Sequence, residues 1–264
     1  MRLFAVIGWG IRNKSASPAM HNASFKRLGV DAAYIAVDVP KGSLQCFTDL
    51  ARFNLAGFNV TIPHKEEITT FLDGVTADAR AVGAVNTVKV ERNLLVGYNT
   101  DYLAVYRLAG RYMAGSSVLI LGAGGAARAA AFAAIKAEAS EIVIANRTLE
   151  RAEALAKEFA EKFGVRARAV GLGGAPRADV VINATPIYDK VLADLSDAKA
   201  YVEYVYNPPE TAMLAKAKEL GLAVIDGVDI LVEQGAAAEE IWLGVGPDRG
   251  VMREAVLEFL RGSR

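Results

Sequence analysis

The chain is poor in the residues that build disulfide-stabilised or metal-dependent proteins. It contains one cysteine, Cys46, which excludes an internal disulfide and a zinc site built from thiolates. Its two histidines, His21 and His64, leave little for a metal centre, and we predict none. Its 30 basic residues balance its 30 acidic ones, whereas a surface that binds nucleic acid needs a net positive charge. We therefore expect no nucleic-acid partner.

Long apolar runs are also missing. No segment approaches the roughly 18 apolar residues of a membrane span. The first ten residues, MRLFAVIGWG, are too short an apolar run for a secretory signal and carry no cleavage pattern. The sequence therefore predicts a cytoplasmic protein with no membrane partner. With 264 residues, of which 53% are hydrophobic, it can bury one large core or two modest ones.

Short apolar runs alternate with helical stretches along the whole chain, a pattern typical of α/β proteins with parallel sheets. The pattern predicts strands at Leu3–Gly8, Tyr34–Val39, Gly57–Ile62, Ala84–Val90, Val118–Gly122, Ile142–Asn146, Val180–Asn183, Val202–Tyr206 and Ala223–Ile225. It predicts helices near Pro18–Leu28, Leu44–Arg52, Lys65–Leu72, Tyr102–Tyr112, Ala126–Lys136, Leu149–Phe163, Thr211–Leu220, Ile230–Leu243 and Arg249–Leu260.

A glycine-rich turn divides the chain. In GAGGAA, the residues Gly122, Gly124 and Ala127 fit the G-x-G-x-x-[GA] pattern between an apolar strand and an alanine-rich helix. Such glycines let a pyrophosphate approach the N–H groups at the helix start, so the pattern predicts dinucleotide binding rather than a plain tight turn. We predict an α/β substrate-binding and catalytic domain, a Rossmann-type doubly wound dinucleotide-binding domain, and C-terminal helices that pack on the first domain. Their predicted bounds are residues 1–101, 102–235 and 236–264.

The strand after this helix ends in the segment IANRTLER. An NAD site would place Asp or Glu there to hold the ribose hydroxyls, whereas this chain has Asn146 and Arg147, with Arg151 one helical turn further on. Two guanidinium groups suit a 2′-phosphate, which favours NADP over NAD. The alternative is that both arginines are solvated surface charges. In either case we expect Thr148 to cap the helix.

Two hydroxyl groups precede the first helix. Ser15 and Ser17 stand just before Pro18, which suits the first turn of a helix. Two hydroxyls at a helix N-terminus can hold a carboxylate. The alternative is that Ser17 is only an N-cap.

Other polar residues follow the predicted strands of the first domain. Thr61 and Lys65 lie in NVTIPHKEE, where the proline ends a strand and Lys65 opens a helix. Asn86 lies within the next predicted strand. Asp101 stands at the following helix start, where N-capping is the simpler role.

The segments SASP, NVTIPHK, GAVNT, NTD, GAGGAARA, NRTLER, NATP and DGVDILVEQGA stand in the order and spacing of the shikimate dehydrogenase family, which the chain resembles from about Leu3 to the C-terminal helix. The resemblance implies that Lys65 and Asp101 form the catalytic pair beside the substrate ketone. It implies that the substrate is bound by Ser15, Ser17, Thr61, Asn86, Tyr206 and Gln234. It implies cofactor contacts at Gly122, Ala123, Gly124, Gly125, Ala126, Asn146, Arg147, Thr148, Arg151, Thr185 and Gly227.

The resemblance thus implies an enzyme that reduces 3-dehydroshikimate to shikimate reversibly with NADP, in aromatic amino-acid biosynthesis, as a monomer or homodimer. One alternative is a quinate/shikimate dehydrogenase with broader use of substrate or cofactor, against which Arg147 and the serine pair argue. Another is a folate-interconverting dehydrogenase, which the serine pair and the NTD segment do not support. A third is a non-catalytic NADP-binding regulator, which predicts the loss of Lys65 or Asp101, although both are present.

The chain departs from the family pattern in three loops. The first loop, GWGIRNKSASP, lacks the usual Pro and His and is one residue longer than the common form. The segment NATPIYD lacks a glycine that often follows, and Asp229 stands where a second glycine is usual. We expect these departures to change loop geometry near the nicotinamide.

Overall fold

Two helices contain the boundaries between the folded units of the chain. In the computed structural model, which describes residues 1–262, one unit comprises Met1–Thr100 and the chain from Val232 onward, and the other comprises Asp101–Leu231. These boundaries fall within α4 (Thr100–Met113) and α8 (Gly227–Leu243). The predicted boundaries, after residues 101 and 235, fall in the same two helices. Residues 263 and 264 of the predicted C-terminal segment lie outside the described residues.

The first unit is built on a mixed six-stranded sheet. Its strands are β1 (Arg2–Gly8), β2 (Ala32–Asp38), β3 (Gly57–Val60), β4 (Gly74–Val75), β5 (Thr87–Glu91) and β6 (Leu94–Tyr98), in the spatial order β2-β1-β3-β5-β6-β4. Its helices are α1 (Ser17–Leu28), α2 (Leu44–Asn54), α3 (Ala77–Val82), most of α8, and α9 (Arg249–Gly262). Strand β5 runs antiparallel to both β3 and β6, so the sheet is not wholly parallel as the alternating pattern predicted.

The C-terminal helices complete the core of this unit. Trp242 of α8 donates from its indole nitrogen to the carbonyl of Val88 at 3.0 Å. Its ring lies so close to β3 that a methyl group on Gly57 would sit 2.4 Å from the indole nitrogen. The prediction that the C-terminal helices belong to the first domain's fold is thereby confirmed.

The second unit has a parallel six-stranded sheet with helices. Its strands are β7 (Ser117–Leu121), β8 (Glu141–Asn146), β9 (Ala167–Gly171), β10 (Val180–Asn183), β11 (Ala200–Glu203) and β12 (Ala223–Ile225), in the order β12-β11-β10-β7-β8-β9. Its other helices are α5 (Gly125–Lys136), α6 (Leu149–Phe163) and α7 (Ala212–Glu219). Counted from β7, this is the doubly wound order 3-2-1-4-5-6, so the Rossmann-type prediction is confirmed. The strand order reverses beside β7, which places the glycine turn at the switch point.

Three local predictions were wrong. The α-helix predicted over Lys65–Leu72 is instead a 3₁₀ helix at Glu67–Phe71. The carbonyl of Lys65 accepts a hydrogen bond from the N–H of Val85 at 2.8 Å, and it does not continue an α-helical ladder. Asn86 lies just before β5 rather than within a strand, and β11 ends at Glu203, so Tyr206 lies in the following loop.

Candidate active site

One edge of the first sheet gathers most of the predicted substrate-binding residues. Strand β5 is antiparallel to its neighbours β3 and β6, so its amino end meets their carboxyl ends. Thr61 follows β3 and donates from its backbone N–H to the carbonyl of Ile7, at the end of β1. Asn86 precedes β5, and its carbonyl accepts from Val60. The sheet topology therefore brings segments distant in sequence to one edge.

Asn86 is the centre of a buried hydrogen-bond network at this edge. Its side-chain oxygen accepts from the backbone N–H of Thr100 at 2.6 Å, and its amide nitrogen donates to the hydroxyl of Thr100 at 2.9 Å. The same nitrogen donates to the side-chain oxygen of Gln234 at 3.4 Å. The structure thus brings together Asn86 and Gln234, two of the predicted substrate-binding residues. Asn86 also fixes the first turn of the helix whose second residue is Asp101.

A second chain of polar contacts leads from this edge into the core. The amide of Asn59 donates to the carbonyl of Asn86 at 3.1 Å, and its oxygen accepts from the hydroxyl of Tyr34 at 2.6 Å. Burial raises the pKa of Tyr34 well above its usual value, and the charge of Glu239 adds to this. The phenol therefore stays protonated and acts as a donor.

The ring of Tyr34 stacks on His21 of α1 with 4.3 Å between ring centres. Nδ1 of His21 lies 2.6 Å from Glu239 of α8, whose other carboxylate oxygen accepts from Ser24 at 2.6 Å. The side chains of His21, Ser24 and Glu239 are fully buried. They join the helix that begins at Ser17 to the helix that carries Gln234.

The predicted carboxylate site at Ser15 and Ser17 has a defined backbone. Helix α1 begins at Ser17, and the residue at its N-cap is Ala16, so Ser17 is not the N-cap. The hydroxyl of Ser15 accepts from the N–H of Ser17 at 3.3 Å. The loop before it is held by Asp38, which accepts from the N–H groups of Ile11 at 2.8 Å and Arg12 at 3.3 Å. Ser17 therefore does not cap the helix, whereas the Ser15 hydroxyl binds its first N–H group.

Lys65 and Asp101, the predicted catalytic pair, are both held close to strand ends. Lys65 is half-buried in the turn after β3, where its backbone carbonyl binds Val85, the residue before Asn86. Asp101 is only 5% exposed and occupies the second position of α4, directly after Thr100. Lys65 belongs to the first unit, and Asp101 is the first residue of the second.

The glycine turn of the second unit has the geometry that a pyrophosphate site needs. Gly122 has φ +115°, and a methyl group there would lie 3.1 Å from the carbonyl oxygen of Ala184. Helix α5 starts at Gly125 with Gly124 at its N-cap, and no side chain caps its first N–H groups. A methyl group on Gly124 would meet nothing within 4 Å, so space remains in front of these donors. The turn therefore fits a dinucleotide phosphate.

The end of β8 presents the predicted 2′-phosphate site. Arg147, Thr148 and Arg151 are exposed, and neither arginine forms an ion pair within residues 1–262. The amide of Asn146 donates to the carbonyl of Thr148 at 2.9 Å, which shapes the turn. Thr148 occupies the N-cap position of α6, but its side chain makes no capping hydrogen bond, so the expected cap is wrong. Two exposed arginines beside a strand end that carries Asn146 in place of an acid fit a phosphate rather than a ribose diol.

A buried carboxylate anchors two loops of the second unit. Glu203 is fully buried and accepts from Tyr201, Thr211 and Asn183, and from the N–H of Val205 at 3.0 Å. Burial, followed by the charge of Glu203, raises the pKa of Tyr201, which keeps it a donor. Asn183 in turn accepts from the hydroxyl of Thr185 at 2.7 Å. The network thus fixes the loop that carries Thr185 and the loop that carries Tyr206.

The start of α8 packs directly on the Tyr206 loop. A methyl group on Gly227 would lie 2.2 Å from the carbonyl oxygen of Val205 and 2.7 Å from the nitrogen of Tyr206, so only glycine fits. The predicted nicotinamide-side residue Gly227 is therefore a close-approach position.

Comparisons with known proteins agree along the whole chain. Three family models match it: shikimate dehydrogenase substrate binding domain over residues 6–88, shikimate / quinate 5-dehydrogenase over residues 105–201, and shikimate 5'-dehydrogenase C-terminal domain over residues 227–257. A Pyrobaculum neutrophilum protein named shikimate dehydrogenase (NADP(+)) is 69% identical over 258 residues, which cover 97% of this chain and 98% of that protein. The chain belongs to the shikimate dehydrogenase family.

Solved members of the shikimate dehydrogenase family have the same fold. A Thermus thermophilus shikimate 5-dehydrogenase, solved in complex with NADP(H) and shikimate, is 37% identical with a TM-score of 0.86, covering 98% of this chain and 100% of that one. A shikimate dehydrogenase solved in complex with NADP+ is 39% identical with a TM-score of 0.88, covering 98% and 96% of the two chains. The sequence resemblance is thereby confirmed.

One departure from the shikimate dehydrogenase pattern has a structural reason. Asp229, which replaces a usual glycine, donates from its N–H to the carboxylate of Asp226 at 2.8 Å, while the N–H of Asp226 donates back to Asp229 at 3.3 Å. This reciprocal pair is a capping box at the start of α8. The substitution therefore reinforces the helix start beside Gly227.

Residues 1–262 contain neither a metal-binding cluster nor a membrane-spanning helix. No group of three or more His, Cys, Asp or Glu side chains could hold a metal ion within that range. No helix in the same range combines the length and apolarity needed to cross a bilayer.

Sequence reasoning missed the residues that support the site. Thr100, Asn59 and Glu203 bind predicted site residues or their loops, but no role was predicted for any of them. Buried polar residues inside otherwise apolar strands, as in GFNV and AYVE, are the signal that could have found Asn59 and Glu203.

Proposed function

We propose that this chain is an NADP-dependent shikimate dehydrogenase that interconverts 3-dehydroshikimate and shikimate. The observation that carries the proposal is the 69% identity, over 97% of the chain, to a protein named for that activity. The glycine turn with open helix N–H groups and the two exposed arginines support NADP as the cofactor. In this role the chain serves the pathway to aromatic amino acids.

We propose that Arg147 and Arg151 bind the 2′-phosphate of NADP, with Asn146 and Thr148 shaping the turn beside it. The pyrophosphate lies on the glycine turn, at Gly122, Ala123, Gly124, Gly125 and Ala126. Thr185 and Gly227 contact the cofactor at the carboxyl ends of the strands. A methyl group on Gly122 would lie 3.5 Å from the methyl carbon of Thr185, and this close approach supports a shared site for these two residues.

We propose that the substrate is held by Ser15, Ser17, Thr61, Asn86, Tyr206 and Gln234. The two serine hydroxyls bind the carboxylate, because both stand at a helix start and Ser17 does not cap it. The side chains of Thr61, Asn86 and Gln234 bind ring hydroxyls. The buried network around Asn86 supports this, because it orients the Asn86 and Gln234 amides before any ligand arrives.

We propose that Lys65 and Asp101 act on the reacting oxygen of the substrate. The reduced cofactor supplies the hydride when it is bound. Hydride addition to a ketone builds negative charge on its oxygen, so a cation or proton donor beside that oxygen stabilises the transition state specifically. Lys65 does this either by giving up a proton or by polarising the oxygen with its charge. Asp101 accepts a hydrogen bond from a substrate hydroxyl and keeps the charges at the site balanced.

We propose that the protein works in the cytoplasm as a monomer or homodimer, with no nucleic-acid or membrane partner. The single cysteine and the balanced charge support this location and this choice of partners.

The test is to mix the protein with shikimate and either NADP or NAD and to follow the absorbance of the reduced nicotinamide. We expect rapid reduction of NADP, slower reduction of NAD, and little activity when quinate replaces shikimate. No reduction of either cofactor with shikimate would contradict the proposed function. Faster reduction with quinate and NAD would assign the chain to the quinate branch instead.

A further inference from the structure

The hydroxyl group of Tyr204 is buried without a hydrogen-bond partner. Among residues 1–262, only three buried side-chain polar atoms lack a partner, and this phenol oxygen is the one oxygen among them. The other two are ring nitrogens of His21 and His64. A buried hydroxyl with no hydrogen-bond partner destabilises a fold, so its presence calls for an explanation.

Loose packing does not explain this hydroxyl. Tyr204 donates from its backbone N–H to the carbonyl of Asn183 at 3.0 Å, and the next N–H, that of Val205, donates to Glu203 at 3.0 Å. The backbone of Gly227 packs so closely on Val205 that no additional carbon atom fits between them. The backbone of the segment that carries Tyr204 is therefore fixed, and the phenol oxygen is buried.

The charged group that acts on this hydroxyl is Asp101. Burial raises the pKa of Tyr204 well above its usual value, and the negative charge of Asp101 adds to this. Tyr204 is therefore a neutral phenol with one hydrogen to donate and no acceptor in use. Asp101 is a nearly buried carboxylate, 5% exposed, in the same unit. A donor without an acceptor and a carboxylate are complementary in chemistry.

We propose that Tyr204 is a positioning residue for Asp101, whose carboxylate accepts the phenol hydrogen, directly or through one water molecule, when substrate is bound. The inference rests on the proposed catalytic role of Asp101. Tyr204 lies two residues before Tyr206, so one short segment carries both this donor and a proposed substrate-binding residue. The carboxylate is then oriented by a donor that no other group in the described chain uses.

The test compares Tyr204, directly after β11, with Tyr201 of β11. Tyr204→Phe removes the unpartnered hydroxyl, whereas Tyr201→Phe removes a hydroxyl bound to Glu203 at 2.6 Å. We expect Tyr204→Phe to keep or raise the melting temperature, to lower kcat about tenfold, as for one hydrogen bond to a charged group, and to leave the KM for NADP unchanged. We expect the control to lower the melting temperature and to keep kcat within about twofold.

A double-mutant cycle separates this inference from the proposed function. If Tyr204 acts through Asp101, adding Tyr204→Phe to Asp101→Asn changes kcat by less than about twofold. An unchanged kcat in Tyr204→Phe alone, or an equal loss of kcat in both backgrounds, overturns the inference while leaving the catalytic pair intact. Full activity in Asp101→Asn overturns the proposed pair itself, and this inference with it.

Discussion

The proposed ligand sites of the two units are built in opposite ways. At the edge of the first sheet, Asn86 donates hydrogen bonds to both Gln234 and Thr100. In the second unit, Arg147 and Arg151 extend into solvent, and the first N–H groups of α5 are left without a side-chain cap. We therefore infer that the proposed substrate site has fixed side-chain directions, whereas the proposed cofactor site keeps open donors.

The difference follows from what each ligand brings. A small polyol carries weak hydrogen-bonding groups, so recognition depends on amides and hydroxyls whose directions are already fixed. A dinucleotide carries three phosphate groups, and charge attracts it even to mobile side chains and bare helix N–H groups. A buried network is therefore expected where geometry selects the ligand, and open donors where charge does.

The largest effect should come from Lys65 of the first unit, whose proposed role concerns only charge that forms during the reaction. We expect Lys65→Ala to lower kcat by about 100-fold or more, the range for a positioned acid–base group, with a smaller change in KM. Lys89→Ala is the matched control, because Lys89 is a half-buried lysine paired with Glu91 at 3.7 Å. Steady-state kinetics with shikimate and NADP would measure both. Near-normal kcat in Lys65→Ala would leave the lysine no catalytic role.

The buried network itself can be broken at Glu239. Glu239→Gln keeps the shape but removes the charge that binds His21 and Ser24, so we expect a loss of about 2–3 kcal/mol in the free energy of unfolding. Glu240→Gln is the control, since the neighbouring carboxylate binds Arg249 in a partly exposed position. Urea unfolding of both variants would measure the difference. Equal losses in the two variants would mean that the interior network contributes no more to the free energy of unfolding than the partly exposed ion pair does.

The open site of the second unit should respond in affinity rather than in stability. Replacing Arg147 and Arg151 together with alanine should raise the KM for NADP about tenfold or more and change the KM for NAD little. The melting temperature should stay the same, because neither arginine is paired within residues 1–262. Arg168→Ala, which removes an exposed ion pair with Glu141, serves as the control. Equal changes for the two cofactors would refute the 2′-phosphate assignment.

The smallest effect should come from the serine hydroxyls. Ser15→Ala or Ser17→Ala should raise the KM for shikimate about fivefold, the worth of roughly 1 kcal/mol of neutral hydrogen bond, and should leave the KM for NADP unchanged. Stability should change little, since Ser17 does not cap α1. Ser43→Ala, at an N-cap position without a side-chain bond, is the control. A loss of stability without a change in KM would return Ser17 to a purely structural role.

The elements that the sequence predicted well are those whose signals are local. Helix α6 was predicted at its observed bounds, Leu149–Phe163, because its apolar positions recur at helical spacing up to Gly164, a left-handed C-cap. Strand β6 was missed because the hairpin before it turns on Arg92 and Asn93, both with positive φ. Such a turn usually has the sequence Asn-Gly, and with Arg92 in its first position the sequence lacks that hairpin signal.

The same distinction between local and distant signals applies to the predicted site. The glycine turn and the serine pair could be predicted because the residues within each motif are close together in sequence. The contact between Asn86 and Gln234 joins residues 148 positions apart, so no local pattern could show it. The helix expected at Lys65 failed for the same reason, because a carbonyl that a helix would need is bound by a distant backbone N–H, that of Val85.

The return of the chain to its first unit has a consequence for the order of synthesis. Residues from Val232 onward supply Glu239 to His21 of α1 and Trp242 to Val88 of β5, and they leave the ribosome after Asp101–Leu231. The unit formed by Asp101–Leu231 is complete in sequence before then, and domains generally fold as units while the chain is made. The first unit, whose synthesis begins before that of the second, should therefore finish folding after it, with its strands awaiting α8 and α9 during translation.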